Sequence, residues 1–142
     1  MTRRSDMVGR YADYLDACSR HAWDEIPPFL AETMVVNGIG QSRAEYVGGI
    51  RKTVEVFPDY RWTLQRAVVE VPWLAVHLTT SGTRVEGFLW APGDGSHVET
   101  EELAMYRIVD GLIHEVHGTA DNARLCHVTL PKPGRPSGTA AR

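Results

Sequence analysis

The chain has 142 residues, 43% of them hydrophobic and 23% charged, with a formal charge of −3, the size and balance of one globular domain. Residues 131–142 hold Lys132, Arg135 and Arg142 and no acid, so the remaining 12 basic and 18 acidic residues leave the body at −6, which argues against wrapping nucleic acid. No run approaches a membrane span, residues 1–10 lack an apolar leader core, and Cys18 and Cys126 lack zinc-knuckle or redox spacing, so a reduced cytoplasmic domain without membrane partners is expected.

Residues 1–6 are polar and expected to fray; the domain is expected over 7–130, followed by a disordered basic tail over 131–142. Met7, Val8, Tyr11, Tyr14, Leu15 and Cys18 recur at three- and four-residue steps and predict an amphipathic helix. A short helix follows around 22–30, limited by Pro27 and Pro28. Thr33–Ile39 reads as a strand, and Ser42 with Glu45 reads as a capping box opening a helix that runs to Phe57. Beyond Pro58-Asp59 the period becomes alternating. Strands are expected over 60–71, 73–81, 83–90, 97–109 and 112–119, with Asp110-Gly111 marking a hairpin turn. A last helix is expected over 121–128. Helices first and antiparallel strands afterwards predict an α+β domain: a single cone of N-terminal helices packed on a curved antiparallel sheet, with room for a cavity at its open end.

The last strand carries the clearest site candidates. Strict alternation puts Ile113, Glu115, His117, Thr119 and Asp121 on one face and His114, Val116, Gly118 and Ala120 on the other. A carboxylate in an apolar pocket titrates closer to neutrality, which suits proton transfer, and an imidazole or phenol beside it can stabilise an oxyanion. Asp121 has a second reading, as N-cap of the final helix. His114 and His117 point to opposite faces of a strand, so no metal-ligand set emerges. Asn37, a polar residue among apolar neighbours, calls for a buried partner or a ligand. Glu99, Glu101 and Glu102 have no assigned facing.

The order of F-P-D-Y (57–60), L-A-V-H-L-T-T-S-G-T (74–83), P-G-D-G-S-H-V (92–98) and Y-R-I-V-D-G-L-I-H-E-V-H-G-T-A-D-N-A-R-L (106–125) resembles the SnoaL-like polyketide and ester cyclases of the nuclear-transport-factor-2-like superfamily. The resemblance implies a cofactor-free enzyme whose cone holds a hydrophobic small-molecule substrate in secondary metabolism, such as antibiotic biosynthesis. It gives Asp121 the general acid/base role; this sequence's own residues add His117 and Tyr106 as catalytic companions and Tyr14, Asn37, Tyr46, Trp90, Glu115 and Thr119 as substrate-binding candidates. His117 stands where the family usually has tryptophan, Tyr106 near a family histidine, and Trp90 where a small residue is expected. This set serves aldol-type ring closure or closure by epoxide opening. The alternatives are an epoxide hydrolase, a ketosteroid-isomerase-like enzyme, or a non-catalytic binding domain; a homodimer is a further expectation.

Overall fold

Met7, Tyr11, Tyr14, Leu15 and Cys18 form one buried stripe along helix α1 (Arg4–Ser19). In the computed structural model, which describes residues 4–120 and 122–126, this stripe packs against one face of a curved six-stranded sheet. Helix α1 begins at Arg4, so residues 4–6 of the segment expected to fray are helical. Residues 1–3, Asp121 and the expected tail over 131–142 lie outside the described residues.

Pro27 and Pro28 remove two amide donors, and the short helix expected over 22–30 reduces to a 3-10 turn at Pro27–Phe29. Strand β1 (Leu30–Val36) then turns at Asn37-Gly38 into β2 (Ile39–Ser42). Both turn residues have positive φ, 51° and 83°, the conformation that makes Asn-Gly a hairpin signal. The expected single strand over 33–39 is therefore two strands around a turn. Helix α2 (Arg43–Val56) opens on the expected capping box: the Glu45 amide donates to Ser42 Oγ at 3.1 Å, and the Ser42 amide donates to Glu45 Oε1 at 2.9 Å.

Strands β3 (Arg61–Glu70), β4 (Trp73–Thr83), β5 (His97–Val109) and β6 (Leu112–Thr119) form a meander. The Asp110-Gly111 turn falls where expected, with φ of 52° and 75°. The sheet order is β2-β1-β6-β5-β4-β3. Strand β1 runs parallel to β6, and the other described pairings are antiparallel, so the sheet is mixed rather than wholly antiparallel. Of the final helix expected over 121–128, Asn122–Leu125 is helical (α3) and Cys126 follows as a turn; residues 121, 127 and 128 are not described.

The strand expected over 83–90 does not form. Arg84 is fully buried, and its guanidinium donates to Pro92 O at 2.6 Å, Leu125 O at 2.7 Å and Asp94 Oδ1 at 3.2 Å. A buried cation needs such acceptors from several directions. The chain after Thr83 therefore folds around the guanidinium, with a single bridge between Phe88 and Ala91.

Strand β4 sets the two faces of the sheet. Leu74, Val76, Leu78 and Thr80 are buried toward the helices, while Ala75, His77 and Thr79 point away. Each large apolar side chain buried on the helical side contributes about 1.5–3 kcal/mol.

Candidate active site

The helices and the inner sheet face leave a cavity of about 310 Å³ between them, at the small end of the range for ligand sites. Helix α1 contributes Tyr14, Leu15 and Cys18 at helical spacing, and α2 contributes Tyr46, Ile50 and Thr53. The sheet supplies Trp62 from β3, Glu102, Ala104 and Tyr106 from β5, and Val116 and Gly118 from β6. Gly118 has a φ of 155°, and a Cβ there would lie 2.6 Å from Leu103 O, so this wall requires glycine.

Phenols dominate the wall. The Tyr14 and Tyr46 hydroxyls are 3.1 Å apart. One donates to the other, which directs the remaining proton to a further acceptor. The Tyr106 ring packs 4.7 Å from Tyr11 and 6.4 Å from Tyr14 between centroids. Tyr11 Oη is buried without a hydrogen-bond partner among the described residues. Burial pushes the Tyr14, Tyr46 and Tyr106 phenols well above the ordinary tyrosine value and the Cys18 thiol up to about 12. At neutral pH these groups are protonated and act as hydrogen-bond donors.

Glu102 is the acid among the described cavity-lining residues. Its position follows from register: on β5 it pairs with Leu78 and shares parity with Ala104, Tyr106 and Ile108, all facing the helices. Desolvation raises its pKa above the usual glutamate value. Among the described residues its carboxylate has no hydrogen-bond or ion-pair partner. Its charge acts on the phenols of Tyr11, Tyr46, Tyr60 and Tyr106. The arrangement is thus a carboxylate able to take a proton, facing neutral phenols able to hold an oxyanion.

The sequence profile of SnoaL-like polyketide cyclases matches residues 6–127. The chain belongs to the SnoaL-like polyketide cyclase family. A SnoaL-like polyketide cyclase from Agrobacterium tumefaciens strain C58 superposes with a TM-score of 0.77 at 25% identity, covering 88% of this chain and 96% of that one. IdmH from Streptomyces antibioticus, a proposed polyketide cyclase, gives 0.75 at 23% over 83% and 94%. AclR from Streptomyces galilaeus, a proposed hydroxylase, gives 0.76 at 18% over 87% and 94%. These last two likenesses concern the fold. Among curated proteins none matches the chain. Membership supports a cyclase- or isomerase-type role.

In this SnoaL-like chain the cavity unites three of the residues singled out from sequence: Tyr14, Tyr46 and Tyr106. It does not include His117 or Glu115. The register between β5 and β6 shifts: Ile108 pairs with Ile113 but Arg107 pairs with Glu115, leaving His114 as an extra residue. That bulge inverts the alternation beyond it. Ile113, Val116 and Gly118 consequently face inward, and Glu115 and His117 face outward beside Arg107 and Met105. There the Arg107 guanidinium donates to Glu115, His117 Nε2 lies 3.2 Å from Glu115 Oε1, and the two partners hold the Glu115 carboxyl below its usual range.

Asn37 also departs from the expected role. Its Nδ2 donates to Gly118 O and its Oδ1 accepts from the Gly118 amide, both at 2.8 Å. The side chain fastens the β1–β2 turn to the bent end of β6 and is exposed, outside the cavity lining. Trp90 sits at an exposed loop tip, 71% accessible, because the chain there wraps Arg84 instead of continuing the sheet. Thr119 pairs through its backbone with Leu103; its side chain and Asp121 lie outside the described residues.

Glu102 was missed from sequence, yet a signal existed. Counting back in steps of two from the apolar Tyr106 and Ile108 places Ala104 and Glu102 on the same face.

Proposed function

We propose that the protein closes a ring on a hydrophobic polyketide-like or related secondary-metabolite intermediate by general acid/base catalysis, without a cofactor. The observation that carries this reading is the composition of the cavity: neutral Tyr14, Tyr46 and Tyr106 phenols on largely apolar walls, together with an acid that has no partner among the described residues. In the aldol form, a base removes a proton from carbon next to a carbonyl, and the phenols stabilise the enolate oxygen. The carbanion then attacks a second carbonyl, whose alkoxide is reprotonated, so the product is an isomer of the substrate. Holding both ends in contact lowers the barrier by as much as about 7–11 kcal/mol in favourable systems. The family resemblance assigns proton transfer to Asp121, a role within this proposal. Neutral phenols would equally protonate an epoxide oxygen, so epoxide-opening closure by an internal hydroxyl is the second form of the same reading.

Incubation with linear aromatic polyketides and with epoxide-bearing phenols, followed by mass and ring-connectivity analysis, tests it. A cyclised product of unchanged mass is expected. Gain of water would identify a hydrolase instead, and tight binding of these compounds without turnover would identify a non-catalytic binding domain.

A further inference from the structure

The cavity acid has no structural duty among the described residues. Glu99 and Glu101 on the same strand face the opposite side and are exposed; His77 meets Glu101 at 2.7 Å there, and His97 meets Glu99 at 3.7 Å. Glu102 alone of the three turns toward the helices, into a wall of phenols and apolar side chains that also holds Gln41 and Thr53. A carboxylate that is desolvated and left without a partner is costly to keep, and it is retained at a cavity wall where a ligand atom can reach it.

We propose that Glu102 is a catalytic base of this cavity, taking a proton from substrate carbon next to a carbonyl and later returning it. The inference rests on the ring-closing reading of the site and adds Glu102 as a base beside Asp121, to which the family resemblance gives proton transfer. In the forward step the C–H bond breaks, its electron pair forms the enolate, and the proton becomes the O–H of Glu102. When the enolate carbon attacks a second carbonyl, a C–C bond forms, a C–O π bond breaks, and Glu102 returns the proton to the alkoxide. Without a second carbonyl, the acid exchanges its proton with solvent and returns it to the same carbon. That partial reaction isolates the base from ring closure.

The groups facing Glu102 are Tyr11, Tyr14 and Cys18 on α1, Tyr46 on α2, Tyr60 ahead of β3 and Tyr106 on its own strand. The phenols and Cys18 are all pushed toward higher pKa by burial. Among the described groups around the cavity, a single acidic limb in the pH profile therefore belongs to the carboxylate.

The experiment follows deuterium uptake at the α carbon of 1-tetralone in D2O by NMR, using the full-length protein. The wild type is expected to catalyse exchange, with a rate that rises with pH and levels off above the ordinary glutamate range. E102Q is expected to lose about 10²- to 10⁴-fold together with that inflection, and E102D to recover part of the rate. Glutamine still donates a hydrogen bond, so loss in E102Q reports proton transfer and not polarisation. Absence of exchange in the wild type, or retention of exchange in E102Q with loss in D121N, overturns the proposal. Glu102-dependent exchange without cyclisation of linear polyketides would refute the ring-closing reading and leave the assignment of the base standing.

Discussion

Glu102 and Glu115 stand on neighbouring strands and differ in almost every physical respect. Glu102 faces the helices, lacks a partner among the described residues, and is pushed toward the protonated form by desolvation. Glu115 faces outward, bonds to Arg107 and His117, and is held in the ionised form by both. Residue type is the same, and the face of the sheet decides what each can do. A partnered surface carboxylate fastens strands together; an unpartnered one in a cavity is available for proton transfer.

The sharpest way to break the contrast at the inner face is through the phenols. Tyr46→Phe removes one hydroxyl of the Tyr14–Tyr46 pair; loss of an oxyanion donor is expected to lower turnover about 10²-fold. Steady-state kinetics on a ring-closing substrate check this, and an unchanged kcat would remove the pair from the chemistry.

Next in size is the bent end of β6, which links the two faces. Asn37→Ala removes both side-chain bonds to the Gly118 backbone, at about 1–3 kcal/mol if those groups are left unsatisfied. Chemical denaturation should show a lower midpoint, while a ligand role would appear as weaker substrate binding with stability intact.

The smallest effects are the pH-dependent ones, and they have opposite signs. The raised pKa of Glu102 means that the folded state binds the extra proton, so its contribution to stability falls as pH rises above about 4.3. E102Q should therefore unfold at a higher temperature than wild type at pH 7, with the gain fading toward acid pH. Glu115 has a lowered pKa, so its contribution is present above the unfolded value and lost as pH falls through the folded one. E115Q should lower the unfolding temperature at pH 7 and converge on wild type in acid. Thermal scans across pH read both signs.

Much of the fold was legible where local chemistry decides alone. Ser42 and Glu45 announced helix α2, and Asp110-Gly111 announced the β5–β6 hairpin whose strands begin and end as expected. Asn37-Gly38 carries the same turn chemistry, but the apolar residues close on both sides give it the pattern of a single continuous strand. The segment after Thr83 has strand-like composition, and only the tertiary demand of the buried Arg84 guanidinium bends it into a loop. For Glu115 and His117, one residue makes the difference. The His114 bulge is a property of how β6 pairs with β5, and strict alternation cannot anticipate it. That extra residue moved Glu115 and His117 out of the expected pocket, while uninterrupted alternation on β5 carried Glu102 into the cavity beside Tyr106.

The most direct measurement compares α-deuterium exchange of 1-tetralone by E102Q and E115Q side by side. The expected result is that E102Q loses about 10²-fold or more while E115Q stays close to wild type. Loss in E115Q with retention in E102Q would contradict it and move the chemistry to the outer face.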